Sequence, residues 1–204
     1  GCKDSLHTKL SVGASDDALT IDGPIGKKST FIVSARQSYL QFLFAAIGLP
    51  FLPTYNDFQV KYKIQLDKKS EISFIGIGAI DDMVLNNGIS NPTESQRYLL
   101  AYLPTYKQWN YTVGTVYKHY GDTHYDTWVL SRNMLRNSNF KYMENDETKG
   151  KTSDYKSDEV ENKLRFERNY PDLPIKLSYG AGIKYSRYTN ETSRKLYLNN
   201  TVTN

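Results

Sequence analysis

Three histidines and one cysteine are the residues of this 204-residue sequence best suited to nucleophilic or metal chemistry. Their spacing supports neither. His119 and His124 flank one turn and could share a metal, but no Ser, Cys or carboxylate joins them or His7 in a recognised motif. They read as strand-end and loop histidines. Cys2 has no second cysteine to pair with, which removes a disulfide framework and any cysteine-based metal site. Gly1-Cys2 is faintly like the end of a lipoprotein signal, yet no charged and apolar regions precede it. Asp81-Asp82 beside Asn86-Asn87 offers the oxygens that calcium prefers, in a spacing that fits no calcium loop. No glycine-rich phosphate loop occurs. The expectation is a protein that is not an enzyme and has no cofactor and no metal site.

What remains is binding chemistry. Tyr39 to Pro53, YLQFLFAAIGLPFLP, is the most apolar connection in the chain, with a short helix expected to end at Gly48. A loop so apolar should fold away from water, where Tyr39, Phe42 and Phe51 could contact a solute as aromatic pocket linings do. The competing reading is a small packed segment that braces its neighbours.

The elements that would position such a loop are strands. Phe58, Val60, Tyr62, Ile64 and Leu66 alternate with Gln59, Lys61, Lys63 and Gln65, the period of two that a strand with unlike faces requires. Asp67 to Ser70 is a hairpin turn, and Glu71 to Ile80 returns. The same alternation marks Phe31, Val33 and Ala35 against Ser34 and Arg36. It recurs at Trp109 to Tyr117, at Val160 to Glu167 and at Ile175 to Ser186. Lys9–Val12 and Ala18–Ile21 are short strands. Asp81 to Ser95 reads as a long polar loop, Arg97 to Leu103 as a strand pairing with Trp109–Tyr120, and 135–138 as a turn between Tyr125–Met134 and Asn139–Met143. Glu144 to Glu159 is charged, mixed in sign and reads as a loop. A last strand start falls at Leu196 to Leu198. The count is about ten antiparallel strands, with short and long connections alternating as in an up-and-down barrel.

Composition indicates the solvent of each face. Hydrophobic residues make up 39% while aromatics reach 13%, which suits a thin wall better than a thick core. Arg36, Lys61, Lys63, Arg165, Lys176 and Lys184 lie on the polar faces, where a packed soluble core would not accept them. Placing Lys61 in lipid would cost about 2–4 kcal/mol at the bilayer midplane. The expected orientation is therefore apolar side outward to outer-membrane lipid and these six cations inward to a lumen. The net charge of +4 is mild and its Lys and Arg are dispersed, so nucleic acid is not an expected partner. No apolar run is long enough for a membrane helix.

Several segments also carry a family likeness. Asp22-Gly23-Pro24-Ile25, Ser29 to Arg36 with Ser38-Tyr39-Leu40, Leu49 to Phe58, and Gly78 to Asp82 resemble the early barrel of TonB-dependent outer-membrane receptors. So do Gln108 to Gly114, Leu130 to Asn133, Asp154 to Ser157 and Glu161 to Lys163, in the same order. The resemblance implies a barrel of about 22 strands, of which 1–204 would be a partial domain without the plug. It implies import of an unidentified solute across the outer membrane of a Gram-negative bacterium. The energy would come from the TonB complex through that missing plug domain. A soluble β-rich binding module and a small stand-alone outer-membrane barrel are the alternatives.

Overall fold

The computed structural model describes residues 4–171, 174–198 and 201–203, with side chains as far as Leu196. Cys2 therefore lies outside the described residues. Nine strands form one antiparallel sheet in strict sequence order. They are β1 (His7–Val12), β2 (Asp16–Ile25), β3 (Ser29–Ser38), β4 (Phe51–Gln65), β5 (Ser70–Leu85), β6 (Thr105–Tyr120), β7 (Tyr125–Tyr142), β8 (Lys151–Tyr170) and β9 (Leu177–Arg194). β10 (Leu196–Leu198) and β11 (Thr201–Thr203) pair only with each other. The sheet is not closed, and β1 and β9 are its two edges. Two helices interrupt the meander, α1 (Leu40–Ala46) and α2 (Glu94–Tyr102), and two 3-10 turns sit at Met143–Asn145 and Glu147–Lys149. Among the described residues no helix is long and apolar enough to cross a membrane, which says nothing of strands.

Five expectations change. Asp81 to Leu85 is not loop, because β5 runs to Leu85 and pairs with β4 throughout. Arg97 to Leu103 is not a strand: Thr93 accepts from the Gln96 N–H and the Gln96 side chain accepts from the Thr93 N–H, a capping box that starts α2. Residues 135–138 are not a turn, because β7 runs through them, with Arg136 bonded to Asp158 across the ladder. The charged run after Glu144 is mostly strand, β8 beginning at Lys151. Phe51 to Asp57 belongs to β4, so the apolar connection covers only 39–50.

These changes sharpen the alternation of connection lengths. Residues 26–28, 66–69, 121–124 and 171–176 now join strands at one end of the sheet. Residues 39–50, 86–104 and 143–150 join them at the other, which also carries the brief 13–15 turn. Gly48, at φ 71, stops α1 by entering the left-handed region that glycine adopts without penalty.

Register assigns the faces. Lys61 pairs with Ile32 and Ile75, and the same row continues through Gly114, Ser131 and Lys163 to Lys184. Lys63 lies in the next row on that face, which reaches Arg165, and Arg36 opposite Asp57 lies on the same face in another row. Lys176 precedes β9 and so has no strand face. The opposite face carries Phe58, Val60, Tyr62, Phe74, Val113, Trp128, Leu130, Leu164 and Ile183, and most of these are exposed.

Apart from α1 against β4, no second layer covers the sheet among the described residues. Among the described residues Met134 and Pro50 are the buried apolar side chains, and the other buried side chains are small and polar, such as Ser73, Thr127 and Ser157. The accessible surface is 13939 Å², against about 9,700 Å² for a compact 23.4 kDa monomer. Both faces of the sheet are open.

Close strand packing makes one position unforgiving. A methyl group on Gly180 would stand 2.3 Å from the Phe166 carbonyl oxygen, a backbone atom fixed in the β8–β9 ladder. Gly180→Ala should therefore lower stability by about 1–3 kcal/mol in urea titration, whereas Ser186→Ala should stay within about 0.5 kcal/mol.

Candidate functional site

The three long connections are tied together at one end of the sheet. α1 begins where Tyr39 closes the β1–β2 turn: its N–H donates to the Ser15 carbonyl at 2.9 Å and its hydroxyl donates to the Gly13 carbonyl. Phe44 meets Phe51 edge to face, with ring centroids 5.6 Å apart. Phe51 is at an odd position of β4, on the same face as Lys61 and Lys63. α1 therefore packs over the cation-bearing face through Phe44, while Phe42, Leu43 and Ile47 stay exposed.

α2 is joined to that segment by amides. Gln96 Nε2 donates to the Gly48 carbonyl at 2.7 Å, and Asn86 Nδ2 donates to the Leu49 carbonyl at 2.9 Å. The third connection docks on the far end of α2. Asn145 Nδ2 donates to the Leu100 carbonyl and, at 3.0 Å, to the Leu103 carbonyl, satisfying groups that the helix terminus leaves open. Glu144 (φ 54) and Asn145 (φ 55) are both left-handed to reach it. That conformation costs a non-glycine residue on the order of 1 kcal/mol, which the two Asn145 bonds offset. Lys141 Nζ lies 4.8 Å above the Tyr102 ring, itself 4.5 Å from the Tyr98 ring.

Local electrostatics reinforce the turns. The Thr148 hydroxyl and N–H bonds hold the Asp146 carboxyl below the usual carboxylate range, and the Glu144 carboxylate raises the Lys149 ammonium. At the other end, the Lys69 N–H lowers Asp67 and the Lys69 ammonium lowers Asp122. Such depressed carboxyls help the fold above their unfolded pKa of about 4, and their contribution fades as pH falls through the lower folded value.

The sequence-derived binding residues do not form one pocket. Tyr39 is committed to the Gly13 carbonyl and Phe51 to Phe44, while Phe42 is 68% exposed. Tyr98 and Tyr102 are exposed at this same end of the sheet, and the sequence reading missed them because it made 97–103 a strand. The T-E-S-Q sequence at 93–96 was the available signal. The possible metal groups separate. His119 Nδ1 bonds Ser70 Oγ at 3.0 Å while His124 stacks near Tyr170. Asp81 and Asp82 are successive strand residues on opposite faces. Among the described residues no group of three ligands could hold a metal.

No protein-family model matches the chain, and no curated protein matches it significantly. Among solved structures, it is similar to a mutant of the ferric enterobactin receptor PfeA from Pseudomonas aeruginosa, with 11% identity and a TM-score of 0.46. The match covers 92% of this chain and 40% of that one, a likeness too low to bear on function.

Gln96 is the hinge of the tied connections. Gln96→Leu should remove both its capping bond and its Gly48 bond, at a cost of about 1–2 kcal/mol. Amide exchange of residues 94–102 should accelerate while that of β5 and β6 stays slow. Unchanged exchange in α2 would show that the helix is held by something else.

Proposed function

We propose that this chain is a stretch of the barrel wall of a TonB-dependent receptor in the outer membrane of a Gram-negative bacterium, and that the parent protein imports a solute. The observation that carries this reading is a slanted apolar band on one face. One row of paired residues runs Leu10, Leu19, Ala35, Phe58, Gly78, Tyr111, Met134, Val160 and Arg187: it starts inside the band and leaves it at β9. Towards the short-turn end, the row of Ser70, His119, Asp126 and Arg168 is polar, but in β9 it meets Tyr179, which is still apolar in company with Leu177. Strands tilted through a flat apolar slab give this drift. A β-sandwich needs an apolar face too, but buries it against a second sheet.

Three further features support the reading. Aromatics flank the band, with Trp109 and Tyr111 on one side and Tyr117, Trp128, Phe166 and Tyr179 on the other, as interfacial girdles do. Charges level with the girdles are paired: Arg136, opposite Trp109, binds Asp158 at 2.6 and 2.9 Å, and Arg168, opposite Tyr179, binds Asp126 at 2.7 Å twice. The other face would line the lumen with Lys61, Lys63, Arg165, Lys184 and Arg36, much of it in ion pairs such as Lys63–Glu71 and Lys163–Glu161. The long connections would face outside, where Phe42, Tyr98 and Tyr102 offer the solute an aromatic surface. Tyr39 and Phe51 would brace it. The TonB complex would act through a plug domain supplied by the rest of the receptor.

Orientation is testable with two adjacent residues of β9. Ile183→Arg should cut outer-membrane assembly of the parent protein severalfold, because it adds about 2–4 kcal/mol in lipid, while Lys184→Gln should assemble normally. Equal assembly would sink the outward placement of Ile183. Open edges and bare faces also predict that the isolated chain needs detergent. A monodisperse, cooperatively melting monomer in plain buffer would favour the soluble module.

A further inference from the structure

The apolar face contains a cation that the band does not explain. Arg132 lies in the row Val33, Val60, Gly76, Val113, Arg132, Asn162 and Tyr185, between Leu130 and Met134 along β7. Its partners are neutral. Nε donates to the Tyr111 hydroxyl at 3.1 Å and Nη1 to Asn162 Oδ1 at 3.2 Å. Arg136 and Arg168 on the same face each hold an aspartate instead. Asn162 is also a polar residue at band level, so two adjacent strands both give up an apolar position here.

Arg132 borders a groove. Val60, Tyr62, Phe74, Gly76, Val113 and Leu130 line it, and Arg132 with Asn162 closes one side. Tyr62, Phe74 and Leu130 lie one register step nearer the short-turn end than Arg132. The groove therefore runs from the arginine into the apolar band. Arg136, at the band's other limit, is four residues along β7, about 13 Å of strand and less along a tilted axis. A guanidinium on a flexible stem can approach that level. Arg187 lies two strands across and one row nearer the long-connection end, at a backbone separation of about 12 Å.

A cation with neutral partners, beside an apolar channel that points to mid-band, matches one shape of ligand: an anionic head on a hydrocarbon tail. We propose that Arg132, oriented by Tyr111 and Asn162, binds the phosphate of an anionic membrane lipid whose acyl chain lies along Val60, Phe74, Val113 and Leu130. Arg187 adds positive charge on the headgroup side. The lipid belongs to the leaflet at the long-connection end. This assignment rests on the membrane reading above and names the lipid side of the wall, not the solute path. A bound phosphate supplies the counter-charge that Tyr111 and Asn162 lack, and guanidinium–phosphate bonds strengthen where water is scarce.

The test uses the protein extracted from bacterial membranes in neutral detergent and returned to phosphatidylcholine vesicles, with or without phosphatidylglycerol as the anionic probe. Flotation with both vesicle types shows that the membrane reading holds; failure to float with either overturns that reading separately. In floating protein, native mass spectrometry should find retained phosphatidylglycerol, lowered about ten- to a hundredfold by Arg132→Gln. Arg165→Gln, on the other face, should retain it fully. Arg132→Lys should recover part of the binding through charge alone. Equal retention in wild type and Arg132→Gln overturns the proposal. So does a cross-link from position 132 to a second protein in place of lipid, which would make the face a protein contact.

Discussion

Backbone pairing is the interaction on which everything else in this structure depends. Nine strands hold one another through unbroken ladders, and only one register shift, between Lys141 and Tyr142, interrupts them. No packed interior shares the work. Each backbone bond contributes modestly in water, about 1 kcal/mol net, because water competes for the same groups. In hydrocarbon the competitor is gone and an unmade bond costs several kcal/mol. The same ladders would be held more strongly in a bilayer, the setting proposed above for this sheet. Its faces specialise accordingly, one with aromatic and aliphatic side chains, the other with ion pairs.

That division accounts for how charge is handled. On the cation-bearing face Glu161 accepts from Lys163 of its own strand and from Lys184 of β9 together, and the Lys184 pair spans the two strands. Exposed pairs of this kind contribute little singly. Their main effect is to let a polar surface remain polar beside its neighbours without stray charge. On the apolar face charge is admitted chiefly at the borders, where Asp126–Arg168 and Asp158–Arg136 neutralise themselves in bidentate pairs. The pairs mark the limits of the band more sharply than the aromatics do.

Much of the sheet was legible in the sequence because one face is apolar wherever a strand passes the band. The runs around Val60, Val113 and Ile183 alternate there, and their strands were found. Legibility failed where strands leave the band. Lys151 to Glu159 and Leu135 to Tyr142 carry polar residues on both faces, so the contrast between faces vanishes and a strand looks like a loop. Arg136 and Asp158 make sense only once their register is known. The segment 97–103 failed for another reason: a short apolar run has no period of its own, and the capping residues before it decide between helix and strand. Of the proposed binding residues, Tyr39 and Phe42 fall in the connection at 39–50 and Phe51 in β4, and the sequence did not show how each would pack. Whether an aromatic ring braces or stays bare depends on a carbonyl at Gly13 and a ring at Phe44, and neither is visible in composition.

The amide ties at the long-connection end have a mechanical consequence. Gln96 grips Gly48, Asn86 grips Leu49, and Asn145 grips the end of α2, so three segments far apart in sequence share one set of fasteners. Such a canopy should open as a single leaf. Lifting one segment strains the next, and the disorder that separate loops would surrender on meeting a visitor has already been surrendered in folding. The rim is therefore stiff where free loops would be soft, and any gating there would be closer to a latch than to a set of fingers.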